Sequence, residues 1–150
     1  MNSHQADKKQ DNGILYIVST PIGNLEDITF RAIEVLKNVD IIAAETPKIT
    51  KRLLDKYNIN TKLVLNNKNN ERSKKNLFIN KLEQGLNVAL VSDAGTPCIN
   101  DPGSELVTLA QKKEISLSVV PGPNAAIAAL SITGLYQDNF FFSWIFAKKK

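Results

Sequence analysis

Short apolar runs alternate with amphipathic segments from residue 14 to residue 120, and this alternation constrains the fold more than any other feature of the sequence. The clearest run, NVALVS at 87–92, is apolar enough for the centre of a sheet. Further strands are predicted at 14–19, 40–44, 61–65 and 115–120. Strands separated by single helices favour a mostly parallel sheet with helices on its faces, so we predict an α/β fold.

The segments that separate these runs carry helix signals. Helices are predicted at 27–39, 46–57, 70–85 and 101–113, and residues 121–135 are predicted to form a loop followed by a helix. Thr46 and Pro47 are expected to open the second helix as N-cap and first helical residue. At the fourth helix, Asp101 is expected to be the N-cap and Pro102 the first helical residue.

Two helices also carry signals for packing. In the third helix Leu77, Phe78 and Leu82 are expected to face the core, and Gly85 is expected to end the helix. The last helix is rich in small residues, which predicts that it packs closely on the sheet. These residues are Ala125, Ala126, Ala128 and Ala129.

Composition excludes several classes of site. The chain has 150 residues, enough for one domain with a core, and a net charge of +4, which permits an anionic partner such as RNA without requiring one. The single cysteine, Cys98, excludes an intramolecular disulfide, and the single histidine, His4, lies in a polar tail. We therefore expect no metal site and no catalytic centre that depends on histidine.

The sequence carries no signal for a membrane. No apolar run reaches the ~18 residues of a membrane span. Residues 1–13 are polar, do not form a signal peptide and are predicted to be disordered. A cytoplasmic protein is the expectation.

Three loops that follow predicted strands carry the candidate chemistry: STPIGNLED at 19–27, SDAGTPCINDPG at 92–103 and PGPN at 121–124. In open α/β sheets, ligands bind at the carboxyl ends of the strands, where these loops would lie. The chain contains neither GxGxxG nor GxxxxGK[ST], so a standard dinucleotide or phosphate loop is absent. We expect a ligand held mainly by main-chain groups of the Gly- and Pro-rich loops.

Individual side chains in these loops each have a structural alternative. Asp93 and Thr96 are candidates for hydrogen bonds to the ligand, but Asp93 could equally brace its own turn. Asp101 is favoured as a helix cap over a catalyst, and Cys98 as a small structural residue. A helix starting at Pro123 would direct main-chain N–H groups at a carboxylate or phosphate.

Three long segments resemble a known family. LYIVSTPIGNLEDITFRAIEVLKNVDIIAAE, VALVSDAGTPCINDPG and VVPGPNAAIAALSITGL resemble the tetrapyrrole methylase superfamily and, within it, the ribosomal RNA small subunit methyltransferase I family. The resemblance covers about residues 13–149. It implies S-adenosyl-L-methionine as methyl donor and the 2′-hydroxyl of a cytidine in small-subunit rRNA as acceptor. It also implies a donor cleft between an N-terminal α/β domain and a C-terminal domain.

The resemblance further implies which residues would hold the donor. They lie in the three loops and comprise Pro21, Ile22, Gly23, Asn24, Ser92, Asp93, Ala94, Gly95, Thr96, Pro121, Gly122, Pro123 and Asn124. A ribose hydroxyl is a poor nucleophile, so a base is expected beside it. Glu45, at the end of a predicted strand, is the candidate for that role.

The chain departs from the family pattern at two motifs. The family's Asp-Thr-Arg-x-Thr, after the position of Glu45, is replaced by Thr46–Thr50, so a carboxylate and a guanidinium are lost. The family's His-Glu-His-Asn-Glu run is replaced by Asn67–Glu71, which removes both imidazoles. Proton transfer or RNA contact that depends on those side chains is not expected here.

The resemblance also predicts a domain organisation. Residues 14–135 would form the α/β domain, and residues 136–150, with an aromatic strand at 139–146, would begin a truncated second domain. The active enzyme would then need a homodimer or a second chain that supplies the missing domain. The alternative hypotheses are a catalytically inactive remnant that still binds the donor weakly and a decaying fragment with no present role.

Overall fold

The structure is a computed structural model that describes residues 12–99, 101–134 and 139. Its strands are β1 Leu15–Val18, β2 Ile41–Ala44, β3 Lys62–Leu65, β4 Val88–Val91 and β5 Leu117–Val120. They form one five-stranded sheet in the order β3-β2-β4-β1-β5, and every pairing in it is parallel. The predicted α/β fold is therefore confirmed.

Five α-helices connect or follow these strands within the described residues. They are α1 Phe30–Asn38, α2 Pro47–Lys56, α3 Glu71–Glu83, α4 Ser104–Lys112 and α5 Ala125–Ser131. A single 3-10 turn, Leu25–Asp27, precedes α1. No helix among the described residues is long and apolar enough to cross a membrane.

The sheet separates two apolar clusters. Buried residues of α1 and α2, such as Leu36 and Leu54, pack on one face of the sheet. Phe78 of α3 and Leu106 of α4 pack on the other face. Because the chain leaves the adjacent strands β1 and β4 toward opposite faces, the crevice between their carboxyl ends is the topological switch point where such sheets bind ligands.

Two predicted helix ends are confirmed. Helix α2 starts with Pro47 after Thr46. Helix α3 ends before Gly85, whose φ of 83° lets the N–H groups of Gly85 and Leu86 donate to the carbonyls of Leu82 and Lys81.

Two packing predictions are wrong. Leu77 is 45% exposed, and Ile79 at 2% is buried beside Phe78 in its place, because α3 presents a face rotated from the predicted one. Helix α5 has no buried residue, so its alanines do not bring it close onto the sheet.

The predicted domain bounds fall partly outside the described residues. At the amino end of the described residues Gly13 is buried, and its N–H donates to the carbonyl of Leu82 at 2.7 Å. Residues 1–11 and most of the predicted aromatic strand at 139–146 lie outside the described part of the chain. The division into domains stays a prediction.

Candidate functional site

The three candidate loops meet at the carboxyl edge of the sheet, because β4, β1 and β5 are neighbours. The first two loops are joined by main-chain bonds. The N–H of Thr20 donates to the carbonyl of Gly95 at 2.9 Å, and the N–H of Gly95 donates to the carbonyl of Thr20 at 3.1 Å. The Gly95 φ of 77° is one that a residue with a side chain rarely adopts.

Side chains and a close backbone approach hold the edge together. The hydroxyls of Ser19 and Thr96 lie 2.9 Å apart, and the Thr20 hydroxyl donates to the carbonyl of Ser92 at 3.1 Å. A Cβ added to Gly122 would lie 2.9 Å from Cβ of Ser19, so the third loop passes close to the first only because residue 122 is glycine. The edge is therefore built by mutual contact of all three loops.

Asp93 braces a fourth loop, the one that follows β2. Its carboxylate accepts from the main-chain N–H of Thr46 at 3.0 Å and from the Thr46 hydroxyl at 2.8 Å. The side chain therefore does not brace its own turn, and Thr46 occupies its N-cap position without capping α2. The substituted motif at Thr46 thus has a structural use in this chain.

Glu45 stands next to this contact, at the end of β2. Its Oε2 accepts from the N–H of Asp93 at 3.3 Å. Burial is the main cause that raises the pKa of the Glu45 carboxyl, and the charges of Asp93 and Asp101 add to it. Such a carboxyl holds a proton more readily than an ordinary glutamate.

The predicted start of α4 at Asp101 and Pro102 is wrong. The N-cap position is Gly103, with φ of 128°, and the first helical residue is Ser104. Oε1 of Glu71, from the start of α3, accepts from the N–H groups of Gly103 at 2.9 Å and Glu105 at 2.8 Å. A carboxylate from another helix therefore satisfies the N–H groups that a local cap would take.

Sequence reasoning missed this role of Glu71. The residue is 8% exposed and joins the starts of α3 and α4 to the end of the 92–103 loop. One signal was available. Although the Asn67–Glu71 run is substituted elsewhere, Glu71 keeps the glutamate that ends the family's His-Glu-His-Asn-Glu run. Because Glu71 accepts the N–H groups at the start of α4, Asp101 is not the cap of this helix.

Two adjacent clefts open between the loops, and Ile22 and Ala94 line both. The first, of about 240 Å³, lies against α5 and the 92–103 loop. The second, of about 280 Å³, lies toward α2. Their predicted site residues are Ile22, Ala94, Gly95, Thr96 and Asn124 for the first and Pro21, Ile22, Gly23, Asp93 and Ala94 for the second.

The other predicted site residues lie beside these clefts rather than in their walls. Asn24 caps the 3-10 turn, its Oδ1 accepting from the N–H of Glu26 at 3.1 Å. Ser92 is buried beneath the second loop. Pro121, Gly122 and Pro123 form the third loop, and the Pro123 carbonyl lies 3.9 Å from the Cβ position of Gly95.

The start of α5 also differs from the prediction. The first helical residue is Ala125, not Pro123, and Oδ1 of Asn124 accepts from the N–H of Ile127 at 3.0 Å. Asn124 therefore already satisfies one of the helix's free N–H groups. Ala125 and Ala126 line the first cleft.

A larger cleft, of about 500 Å³, lies elsewhere, between α1 and the neighbouring strands. Tyr16, Arg31 and Ser118 line it, and Arg31 donates to the Val119 carbonyl at 3.0 Å and to the Ser118 hydroxyl at 3.2 Å. None of the candidate loops reaches it. Size alone does not select the site, and the switch-point clefts carry the loop geometry that a ligand needs.

Cys98 lies in the second loop as a half-buried free thiol. Burial, with the charges of Glu71 and Asp101, raises its pKa to about 11, so the thiol stays protonated and unreactive at neutral pH. Among the described residues, no group of three His, Cys, Asp or Glu side chains could hold a metal ion.

A parallel α/β sheet with Gly- and Pro-rich loops gathered at its switch point is the arrangement in which open α/β folds bind ligands. Residues 14–148 match the family model of the tetrapyrrole (corrin/porphyrin) methylases, and the chain belongs to that family. The solved uroporphyrin-III C-methyltransferase of Thermus thermophilus has the same fold, with a TM-score of 0.62 and 25% identity. That match covers 83% of this chain and 53% of the other.

Curated relatives confirm the narrower resemblance. A ribosomal RNA small subunit methyltransferase I of Escherichia coli O157:H7 is 52% identical over 143 residues, which is 95% of this chain and 49% of that protein. One from Buchnera aphidicola subsp. Schizaphis graminum is 51% identical over 92% of this chain and 48% of its own. The chain thus spans about half the length of these curated relatives.

Proposed function

We propose that this chain forms the donor-binding domain of an S-adenosyl-L-methionine-dependent methyltransferase that acts on small-subunit rRNA. The observation that carries the proposal is the meeting of the three motif loops at the switch point, joined by the Thr20–Gly95 bonds. The printed names of the relatives support the reaction and the RNA partner. The proposed acceptor is the 2′-hydroxyl of a cytidine, and the proposed location is the cytoplasm.

The two clefts fit such a donor in shape and in chemistry. Each is smaller than the roughly 300–1,000 Å³ of a typical ligand pocket, but they adjoin at Ile22 and Ala94, so an elongated ligand would extend through both. Their walls are mainly apolar and backbone surface, which suits an adenosine and a thioether stem. The proposed donor contacts remain those predicted from the loops: Pro21–Asn24, Ser92–Thr96 and Pro121–Asn124.

Methyl transfer from a sulfonium depends on alignment and exclusion of water more than on elaborate acid–base chemistry. The bound donor supplies an electrophilic methyl group. This chain would supply the rigid loops that orient the donor, and Glu45 is the base proposed from the sequence. The raised pKa of its carboxyl is consistent with that role.

Donor binding is tested directly by calorimetry with S-adenosylhomocysteine, the stable product. We expect saturable binding to the 150-residue chain and at least a tenfold loss in Gly122→Ala, since the added Cβ would press on Ser19 at 2.9 Å. The matched control is Gly134→Ala, where nothing lies within 4 Å of the added Cβ. Absence of binding to the unsubstituted chain would contradict the proposal.

Catalysis is tested with labelled donor and small ribosomal subunits. Transfer above a no-enzyme control supports a complete active site in this chain or in its homodimer. Donor binding without transfer supports the alternative hypothesis, a donor-binding module that is inactive or needs a second chain. The substituted Asn67–Glu71 run favours that alternative, because it lacks both imidazoles of the family pattern.

A further inference from the structure

Four polar side chains form a row across the sheet, just beyond the carboxyl ends of β3, β2, β4 and β1. Each comes two residues after an apolar side chain that packs on the α3 and α4 face, namely Val64, Ala43, Leu90 and Ile17. The strand registers place Ala44 level with both Leu65 and Val91, and Ile17 level with Leu90. Because side chains alternate along a strand, the row faces the same side. Its members are Asn66, Glu45, Ser92 and Ser19.

One half of this row already has partners. Ser19 lies 2.9 Å from the Thr96 hydroxyl, and the Ser92 hydroxyl donates to the carbonyls of Ala94 at 3.4 Å and Gly95 at 3.5 Å. The loop after β4 therefore covers the Ser92 and Ser19 side. Glu45 and Asn66 form the other half.

Asn66 is the unexplained member. It is 0% exposed, and neither its amide nitrogen nor its amide oxygen has a hydrogen-bond partner among the described residues. Its main-chain N–H donates to the Ala44 carbonyl at 2.8 Å, which holds the residue in register beside Glu45. Buried amides are almost always paired, so an unpaired one beside Glu45 in the row points to a polar ligand that completes it.

Asp101 brings a second carboxylate to this place. It lines the first cleft and is not the cap of α4, because Glu71 takes that role. It shares the first cleft with Thr96, whose hydroxyl lies 2.9 Å from that of Ser19 in the row, and its charge is among the causes that raise the pKa of Glu45. Burial raises the pKa of Asp101 itself, and the Ser92 hydroxyl and the Lys68 ammonium oppose that rise. The Lys68 ammonium also opposes the rise in the pKa of Glu45, so its charge favours the ionised form of both carboxyl groups.

We propose that Asp101, Glu45 and Asn66 form the subsite for the acceptor hydroxyl, with Asp101 rather than the sequence candidate Glu45 as the proton acceptor. The assignment rests on the proposed methyl-transfer function. Asp101 is preferred because it lines the first cleft, whereas Glu45 lines neither cleft. Glu45 and Asn66 would accept from and donate to the ribose that carries the hydroxyl.

The step balances with the groups named. The hydroxyl oxygen forms a bond to the methyl carbon of the sulfonium donor, and the carbon–sulfur bond breaks with its electron pair left on sulfur. The hydroxyl proton passes to the Asp101 carboxylate, which becomes a neutral carboxylic acid and later returns the proton to solvent. The products are a methyl ether and a neutral thioether.

The test needs no turnover. The full chain, labelled with ¹⁵N and loaded with S-adenosylhomocysteine, is titrated with cytidine and with 2′-deoxycytidine and followed by NMR. We expect cytidine to shift the side-chain amide of Asn66 with saturation and 2′-deoxycytidine to bind at least fivefold more weakly. Asp101→Asn should remove that preference, whereas Asp55→Asn, which loses only an exposed ion pair on α2, should keep it.

A second variant separates ligand binding from folding. Asn66→Ala removes no hydrogen bond of the amide, so its unfolding midpoint should stay unchanged while the cytidine preference is lost. If S-adenosylhomocysteine binds and cytidine leaves the Asn66 amide unmoved, or if Asp101→Asn keeps the preference, the subsite is overturned and the donor site stands. If S-adenosylhomocysteine itself fails to bind, the proposed function is contradicted instead.

Discussion

Glu71 projects from the start of α3 and accepts the N–H groups of Gly103 and Glu105 at 2.9 and 2.8 Å. Glu71→Ala should leave both groups without an acceptor in a buried place and lower the free energy of unfolding by about 2 kcal/mol. Glu71→Gln, which keeps one amide oxygen, should cost about half as much. Urea denaturation followed by circular dichroism measures both.

The control for Glu71 is Glu83→Ala on the same helix. Glu83 pairs with Lys113 at 2.9 Å on the surface, where an ion pair contributes less than about 1 kcal/mol. If Glu71→Ala and Glu83→Ala cost the same, the role of Glu71 in holding α4 and the 92–103 loop would be refuted.

Glu45 gives a prediction about pH. Burial, with the charges of Asp93 and Asp101, raises the pKa of its carboxyl in the folded chain above 4.5. The folded state therefore binds the proton more tightly, and the stability that the protonated group contributes is lost as pH rises from 4.5 through the folded-state pKa. Glu45→Gln should raise the melting temperature at pH 7 by at most about 2 °C, since Glu45 is partly exposed, and give no gain near pH 4.

Thermal melts across this pH range check the Glu45 prediction. The control is Glu34→Gln on the exposed side of α1, which should leave the melting temperature unchanged across the same range. A gain for Glu45→Gln that is equal at pH 4 and pH 7 would show that ionisation of Glu45 is not its cause.

At the level of elements, local signals predicted those features that depend on neighbours in sequence. Thr46-Pro47 opened α2, and Gly85 ended α3, because both depend on backbone preferences within one turn. The start of α4 was missed, because its capping carboxylate comes from a residue 32 positions away. The three loops were predicted to share an edge because each follows a strand of a parallel sheet, but which side chains brace them could not be predicted.

Gly103 shows how tightly the loop before α4 is packed. A Cβ there would lie 2.4 Å from Cδ2 of Leu90 and 2.9 Å from Sγ of Cys98, and the φ of 128° disfavours any side chain. Gly103→Ala should therefore destabilise the chain by about 3 kcal/mol, through overpacking and backbone strain together. Chemical denaturation tests this, with Gly134→Ala as the control for strain without a clash. Equal losses in the two variants would contradict the packing argument.

For the whole molecule, burial is uneven across the described residues. Every residue of β4 is buried, and β4 lies between β2 and β1 in the sheet. Helix α5 has no buried residue, although Ala125 and Ala126 line the first cleft. Local stability increases with the number of buried apolar contacts. Local opening of α5 should therefore cost much less free energy than opening of β4.

Hydrogen exchange followed by mass spectrometry measures this difference. Amides of β4 should exchange only through global unfolding, whereas amides of α5 should exchange at least a hundredfold faster, which corresponds to about 2.7 kcal/mol. S-adenosylhomocysteine should slow exchange in α5 more than in β4, since Asn124, Ala125 and Ala126 form part of the cleft wall. Equal protection of α5 and β4 without ligand would contradict the burial argument. Ligand protection that spares α5 would instead place the donor outside the first cleft.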